Sequence, residues 1–232
     1  MDLIFQGIVQ AFQLLLQGDR EVINIALLSL GVSLCATAIS LFIGITLGVV
    51  VALTQFTGRR FFISLINAGM GAPPVVVGLF VSVFLWRSGP LGLFHLMYTP
   101  WAMIIAQCII SLPIITGFTL ASIQNIDPKL RIQILALGAS RWQLLWLLVR
   151  DTRLPLLAAV MAGFGSIISE VGASMMVGGN ITDQTRVLTT AIVMENSKGD
   201  FGMAIALSII LMVLVYVVNL VLTGVQQQSR PR

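Results

Sequence analysis

The chain has 232 residues, of which 57% are hydrophobic and only 9% charged, with a formal net charge of +4. Soluble domains carry roughly 25% charged residues, so a soluble enzyme is excluded and an integral, polytopic membrane protein is indicated. The positive balance then reports membrane topology rather than nucleic-acid binding.

Residues 1–21 form an N-terminal segment whose apolar part, 3–17, is short, spaced by Gln6, Gln10, Gln13 and Gln17, and without a basic flank. It is a poor signal peptide. An interfacial helix on the outer face is preferred to a further span. From residue 22 to 226 the sequence reads as one transmembrane domain, because charge-free runs over 22–58, 61–86, 88–126 and 201–229 each exceed the ~20 apolar residues that a spanning helix needs.

The first predicted span is 24–54. Ala36, Ser40, Gly44, Gly48 and Ala52 recur in it every four residues, a small-residue stripe that lets another helix backbone approach closely. Packing within the chain and contact with a second copy both explain the stripe. The second span, 61–86, is interrupted by GMGAPPVVVG (69–78). Pro73 and Pro74 delete backbone donors there, and such a break survives in lipid only where protein or a water-filled path covers it. It reads either as a packing kink or as a hinge or pathway wall. His95 stands alone in the following external loop. The third span, 101–123, holds Pro113, which predicts a bend. Cys35 and Cys108 fall inside spans without metal-ligand spacing and read as small packing residues.

Residues 127–153, DPKLRIQILALGASRWQLLWLLVRDTR, break the apolar pattern with Lys129, Arg131, Arg141, Arg150 and Arg153 against Asp127 and Asp151. Asp127 suits an N-cap and Pro128 the first helical position. Gly138 ends the first helix, and Ser140 can cap a second one carrying Trp142 and a row of leucines. A rigid, positively charged helix pair at the membrane surface gives a partner something to hold. The fourth span, 154–178, contains Glu170, the acidic residue at depth, for which a pairing role and a transport role both stand. The fifth span is 203–224, followed by a tail, 227–232.

Arg59, Arg60, the five basic residues of 127–153, Arg230 and Arg232 fall on one side; Arg20, Arg87, Arg186 and Lys198 fall on the other. The excess of positive charge marks the first side as cytoplasmic, with the N-terminus outside and the C-terminus inside. The fold expected is therefore all-α, a bundle of about five spans. No Walker-type glycine loop, acid pair or metal cluster is present in the sequence, so no catalytic residue is expected.

GASRWQ (138–143), with an ID pair before it and an LP pair after it, resembles the cytoplasmic loop of permease subunits of bacterial ABC importers. Ile132, Gln133 and Ile134 stand where that family carries its glutamate and alanines. APPVVVGL (72–79), RSGPLG (87–92), YTPWAMIIAQ (98–107), EVGASMMVGGN (170–180) and TTAIVMENSKGDF (189–201) are colinear fragments similar to the tungstate-type branch of the molybdate, tungstate and sulfate permeases. The resemblance implies a type I permease fold in a prokaryotic inner membrane. It implies a homodimer, two ATPase subunits inside that bind the ATP and magnesium, an external oxyanion-binding protein, and no cofactor or nucleic acid on this chain. Asp127, Gly138, Ala139, Ser140, Arg141 and Trp142 would couple the chain to the ATPase. A dianion entering low dielectric needs donors. Asn180, Thr182, Thr185, Arg186, Thr189 and Thr190 offer them at the outer mouth, where solvation of a surface loop explains the same polarity, and Pro73, Pro74 and Glu170 are the candidates for shaping the pathway. Arg186 is placed either in that pathway, at the binding-protein interface, or against Asp183. Molybdate or sulfate transport is the alternative within the group. An ATP-independent secondary transporter or channel is the alternative of another class, and a non-transporting assembly factor is a further one.

Overall fold

The structure, a computed structural model, describes residues 2–228. Arg230 and Arg232 lie outside the described residues, as does the side chain of Arg141. Among the described residues the regular elements are all helices, without strands. In chain order the elements are α1 (Asp2–Gln17), α2 (Arg20–Leu53), α3 (Arg59–Met70), α4 (Pro74–Leu85), a short 3-10 turn (Gly92–Phe94), α5 (Pro100–Gln124), α6 (Pro128–Ala136), α7 (Arg141–Asp151), α8 (Arg153–Ile168), α9 (Gly172–Gly178), α10 (Leu188–Lys198) and α11 (Phe201–Gln228).

Three helices, α2, α5 and α11, are individually long and apolar enough to cross a membrane. The other two predicted spans are each a bent pair: α3 and α4 meet at 104°, and α8 and α9 at 59°. Counting each pair as one span gives the five expected, but neither 61–86 nor 154–178 is a single rod. The first break follows from the sequence, since Pro73 and Pro74 cannot continue a helix begun at Arg59. The second has no proline between Ile168 and Gly172 and is held by contacts from other helices. Pro113, by contrast, does not interrupt α5. Its ring lies where a Cβ on Gly69 would stand, 2.8 Å away, so the glycine makes room for it.

The 34 residues of α2 correspond to a rod of about 51 Å, longer than the ~30 Å hydrocarbon core. Asp19 caps its start by accepting from the Val22 N–H at 3.0 Å. At its far end Arg59 Nε donates to the Val51 carbonyl at 2.9 Å, satisfying an acceptor that the helix leaves open and placing a cation at its negative pole.

At the centre stands α5, with α2, α3, α4, α8 and α9 packed on it. The small-residue stripe of α2 faces it. A Cβ on Gly44 would lie 2.9 Å from Ile115 Cγ2, and one on Gly48 would lie 2.7 Å from Thr119 Cβ. The Ser111 hydroxyl donates to the Ser40 hydroxyl at 2.7 Å, and Cys108 Sγ donates to the Ala36 carbonyl at 3.5 Å. Ala52 joins Leu120 and Ile123 at the end of the seam nearest α7. The stripe is therefore used within the chain and gives no ground for a subunit contact. Cys108 is part of that seam, whereas Cys35 is exposed on the outside of α2.

The N-terminal segment is a helix laid on α11 through a small-residue contact. A Cβ on Gly7 would collide with Ile205 Cγ2, and Ala11 is buried beside Leu207 and Ile210. Phe5, Phe12 and Leu16 face outward. Sixteen residues make about 24 Å of helix, short of a full crossing.

Candidate functional site

The loop between α5 and α8 is built by local chemistry at each of its ends. Asp127 Oδ1 accepts from the Lys129 N–H at 2.8 Å, and Pro128 occupies the first helical position. Gly138 has φ +83°; its N–H donates to Leu135 O and that of Ala139 to Ile134 O. This pair of bonds is the Schellman ending, which places glycine where the left-handed conformation is required. Ser140 then opens α7 with a reciprocal capping box: Gln143 N–H donates to Ser140 Oγ, and Ser140 N–H to Gln143 Oε1 at 2.7 Å.

One face of α7 is fixed to the body of the protein. Leu144 and Leu148 are buried, and Leu145 and Val149 pack on Val49, Val51, Leu120 and Ile123 at the ends of α2 and α5. The rest is open. Leu137 is 87% exposed and Trp142 82%, and Trp146 carries Arg150 over its ring at 5.0 Å. An apolar tip rimmed by cations on a rigid turn marks an interaction surface. Leu137 and Trp146 were not singled out from the sequence, although Trp142 and Trp146 at i, i+4 announce a shared helix face.

Away from this loop the two bent pairs meet. A Cβ on Gly78 of α4 would stand 2.6 Å from Ala173 Cα of α9, and one on Gly172 would stand 2.6 Å from Val75 Cγ2. Pro73, Pro74 and Glu170 thus belong to one junction, each at a helix break. The Glu170 carboxylate accepts from the Ala173 N–H at 2.9 Å, and its carbonyl accepts from Thr189 Oγ1 at 3.0 Å. The carboxylate is therefore engaged locally, on the first turn of α9.

Asn180 and Arg186 lie apart from that junction, on the 179–187 loop. Asn180 has φ +52°, and its amide donates to Met194 Sδ at 3.4 Å. Thr185, Thr189 and Thr190 are buried, with their hydroxyls engaged by Gly178 O, Glu170 O and Val187 O. Of the four threonines read as donors at the outer mouth, only Thr182 is exposed. Arg186 does not pair with Asp183; its Nη1 pairs with Glu21 Oε1 at 3.0 Å, the arginine largely buried and the glutamate exposed. No sequence signal joins two residues that far apart. His95 lines a cavity of about 390 Å³ with Trp86, Arg87 and Tyr98.

Comparison with known proteins agrees with this architecture. The family model described as the binding-protein-dependent transport system inner membrane component matches residues 44–232. The chain is 40% identical to the tungstate uptake system permease protein TupB of Peptoclostridium acidaminophilum, over 98% of this chain and 100% of that protein. It is 34% identical to the protein of the same name from Campylobacter jejuni, over 95% and 92% respectively. Among solved structures, a bacterial ABC transporter for the acidic polysaccharide alginate shares the fold with a TM-score of 0.76 at 20% identity, over 97% of this chain and 83% of that chain.

Proposed function

The chain belongs to the family of binding-protein-dependent transport system inner membrane components, and from that premise we propose that it is the permease of an ATP-driven tungstate importer. An external binding protein delivers the oxyanion, and two ATPase subunits inside bind ATP and magnesium. The observation that carries the reading is the 127–153 loop, stiffened at every end and presenting Leu137 and Trp142 to a partner. Such a tip transmits force only if it is rigid, and the Schellman turn and capping box supply that rigidity. The substrate is taken from the two tungstate-permease relatives. In this reading the loop faces the cytoplasm, the N-terminus lies outside, and two copies of the chain form the path between them.

Proteoliposomes holding the co-expressed complex test it. Tungstate uptake should require ATP inside the cell-equivalent face and the loaded binding protein outside, and excess molybdate or sulfate should compete poorly. Uptake without ATP would favour a secondary transporter. Native mass measurement should give two copies of this chain per two ATPases, and a single copy would overturn the dimer.

Arg186 separates two parts of this picture. If its guanidinium meets the oxyanion during passage, Arg186→Gln lowers uptake about tenfold while Glu21→Gln leaves it within twofold. Both substitutions remove the same ion pair, which is worth at most about 1 kcal/mol with so exposed a partner. Equal loss from both variants, with binding-protein docking also lost, moves Arg186 from the pathway to the outer interface.

A further inference from the structure

Helix α4 presents two different faces. Gly78 and Val75 turn to α9. At about 100° per residue, Val77, Phe80 and Phe84 each lie about 100° or more round the helix from both. With Ile105 and Ile109 of α5 they wall a cavity of about 310 Å³, and Leu91 joins them beside the last turn, its N–H donating to Phe84 O at 3.0 Å. Every side chain lining this cavity is hydrocarbon. Phe80, Phe84 and Ile109 are exposed, so it is a groove open along its side rather than a void in the core. From Val77 to Leu85 it follows about 12 Å of helix, comparable to the ~15 Å that one leaflet contributes to the hydrocarbon core.

Where α4 ends, hydrocarbon gives way to a cation. Leu85 lines the groove and also the cavity that holds Arg87, His95 and Tyr98. No acidic residue occurs between Glu21 and Asp127, and among the described residues Arg87 makes no ion pair. Its backbone is nevertheless held. Gly89 N–H donates to Trp86 O at 2.7 Å, and a Cβ on Gly92 would collide with the carbonyl oxygen of Trp86. Tyr98 N–H donates to Val177 O at 3.0 Å, and its ring meets Trp86 edge-on. Tryptophan and tyrosine are the residues that the membrane–water interface favours. Groove, aromatic pair and arginine thus follow one another in the order of acyl chain, interface and headgroup.

We propose that this site binds one anionic phospholipid, with an acyl chain in the α4–α5 groove and the phosphate at Arg87. The guanidinium fork matches phosphate oxygens, and His95 and Tyr98 offer further donors in the same cavity. A second copy of the chain would cover the groove but would gain nothing from the unpaired cation, whereas a lipid of this charge uses both. The proposal needs only that the chain spans a membrane, not that it carries tungstate.

The test uses the full chain in its co-expressed complex, stripped of lipid in detergent. It is titrated with phosphatidylglycerol or with phosphatidylcholine of the same acyl chains, and bound copies are counted by native mass measurement. One phosphatidylglycerol per copy of the chain should be held about fivefold more tightly than phosphatidylcholine, the gain of one arginine facing one anionic headgroup. Arg87→Gln should abolish that preference and leave phosphatidylcholine binding within twofold, because an exposed charge is removed and the groove is untouched. Ile109→Trp, which fills the groove from an exposed position, should release both lipids. Equal affinity for the two lipids in the wild type, or a preference that survives Arg87→Gln, would overturn the site. Competition by glycerol 3-phosphate as strong as that of the lipid would also overturn it, since the groove would then hold no chain. Loss of the second copy from the complex in Ile109→Trp, with lipid retained, would assign the groove to a subunit contact instead.

Discussion

Trp142→Ala is expected to weaken docking of the ATPase about thirtyfold or more and to lower ATP-driven uptake accordingly, while the chain stays folded. At 82% exposure the indole makes little contact within the chain, so its removal leaves no cavity and exposes no new core. A tryptophan that enters a desolvated pocket on a partner is an anchor of the kind that contributes about 2 kcal/mol or more, and that energy sets the thirtyfold. Leu148→Ala is the contrast. That leucine is 1% exposed beneath the same helix, and truncating it should cost about 2–5 kcal/mol of stability, visible as lost expression before any docking is measured. Gly138→Val falls between them. No atom lies within 4 Å of where its Cβ would be, so only the φ of +83° resists, at about 1–2 kcal/mol. Co-purification of the ATPase with each variant, beside the thermal midpoint of the permease, separates these effects. Wild-type docking by Trp142→Ala would remove the exposed tip from the interface.

What the sequence made legible is what is local. Asp127–Pro128, Gly138 and Ser140 act on backbone groups two to four residues away, and each stands in the structure as its residue type requires. The same holds at Pro73 and Pro74, whose missing donors end α3 wherever the rest of the chain lies. The bend at Ser169–Val171 was hidden for the opposite reason. Residues 154–178 read as continuous helix because the groups that hold them bent, Gln107 and Thr189, are distant in sequence. The stripe on α2 shows a third case. Its period predicted close approach correctly, but a row of small residues carries no label for its partner, and α5 rather than a second copy occupies it. Arg186 and Glu21 are likewise joined only by the fold.

Gly78→Ala is expected to reduce uptake more than tenfold, and the reason lies in where the added carbon must go. It would stand 2.6 Å from Ala173 Cα, a backbone atom that cannot swing away, so α4 and α9 must separate. Overpacking of that kind costs about 1–3 kcal/mol, and loss of uptake by itself would not tell a gate from a misfolded helix pair. Two further glycines supply the distinction. Gly165 has open space at its Cβ position, so Gly165→Ala should leave both stability and uptake near the wild type. Gly44 is nearly as crowded as Gly78, 2.9 Å from Ile115, but lies in the α2–α5 seam away from the two helix breaks. Gly44→Ala should therefore lower the thermal midpoint about as far as Gly78→Ala while sparing transport in the molecules that fold. The comparison is made on uptake per folded complex, with the midpoint measured in the same detergent. If the two crowded glycines lose uptake in the same proportion as stability, the α4–α9 junction is packing alone. If Gly78→Ala loses far more, movement of the two broken helices against each other is part of the transport cycle.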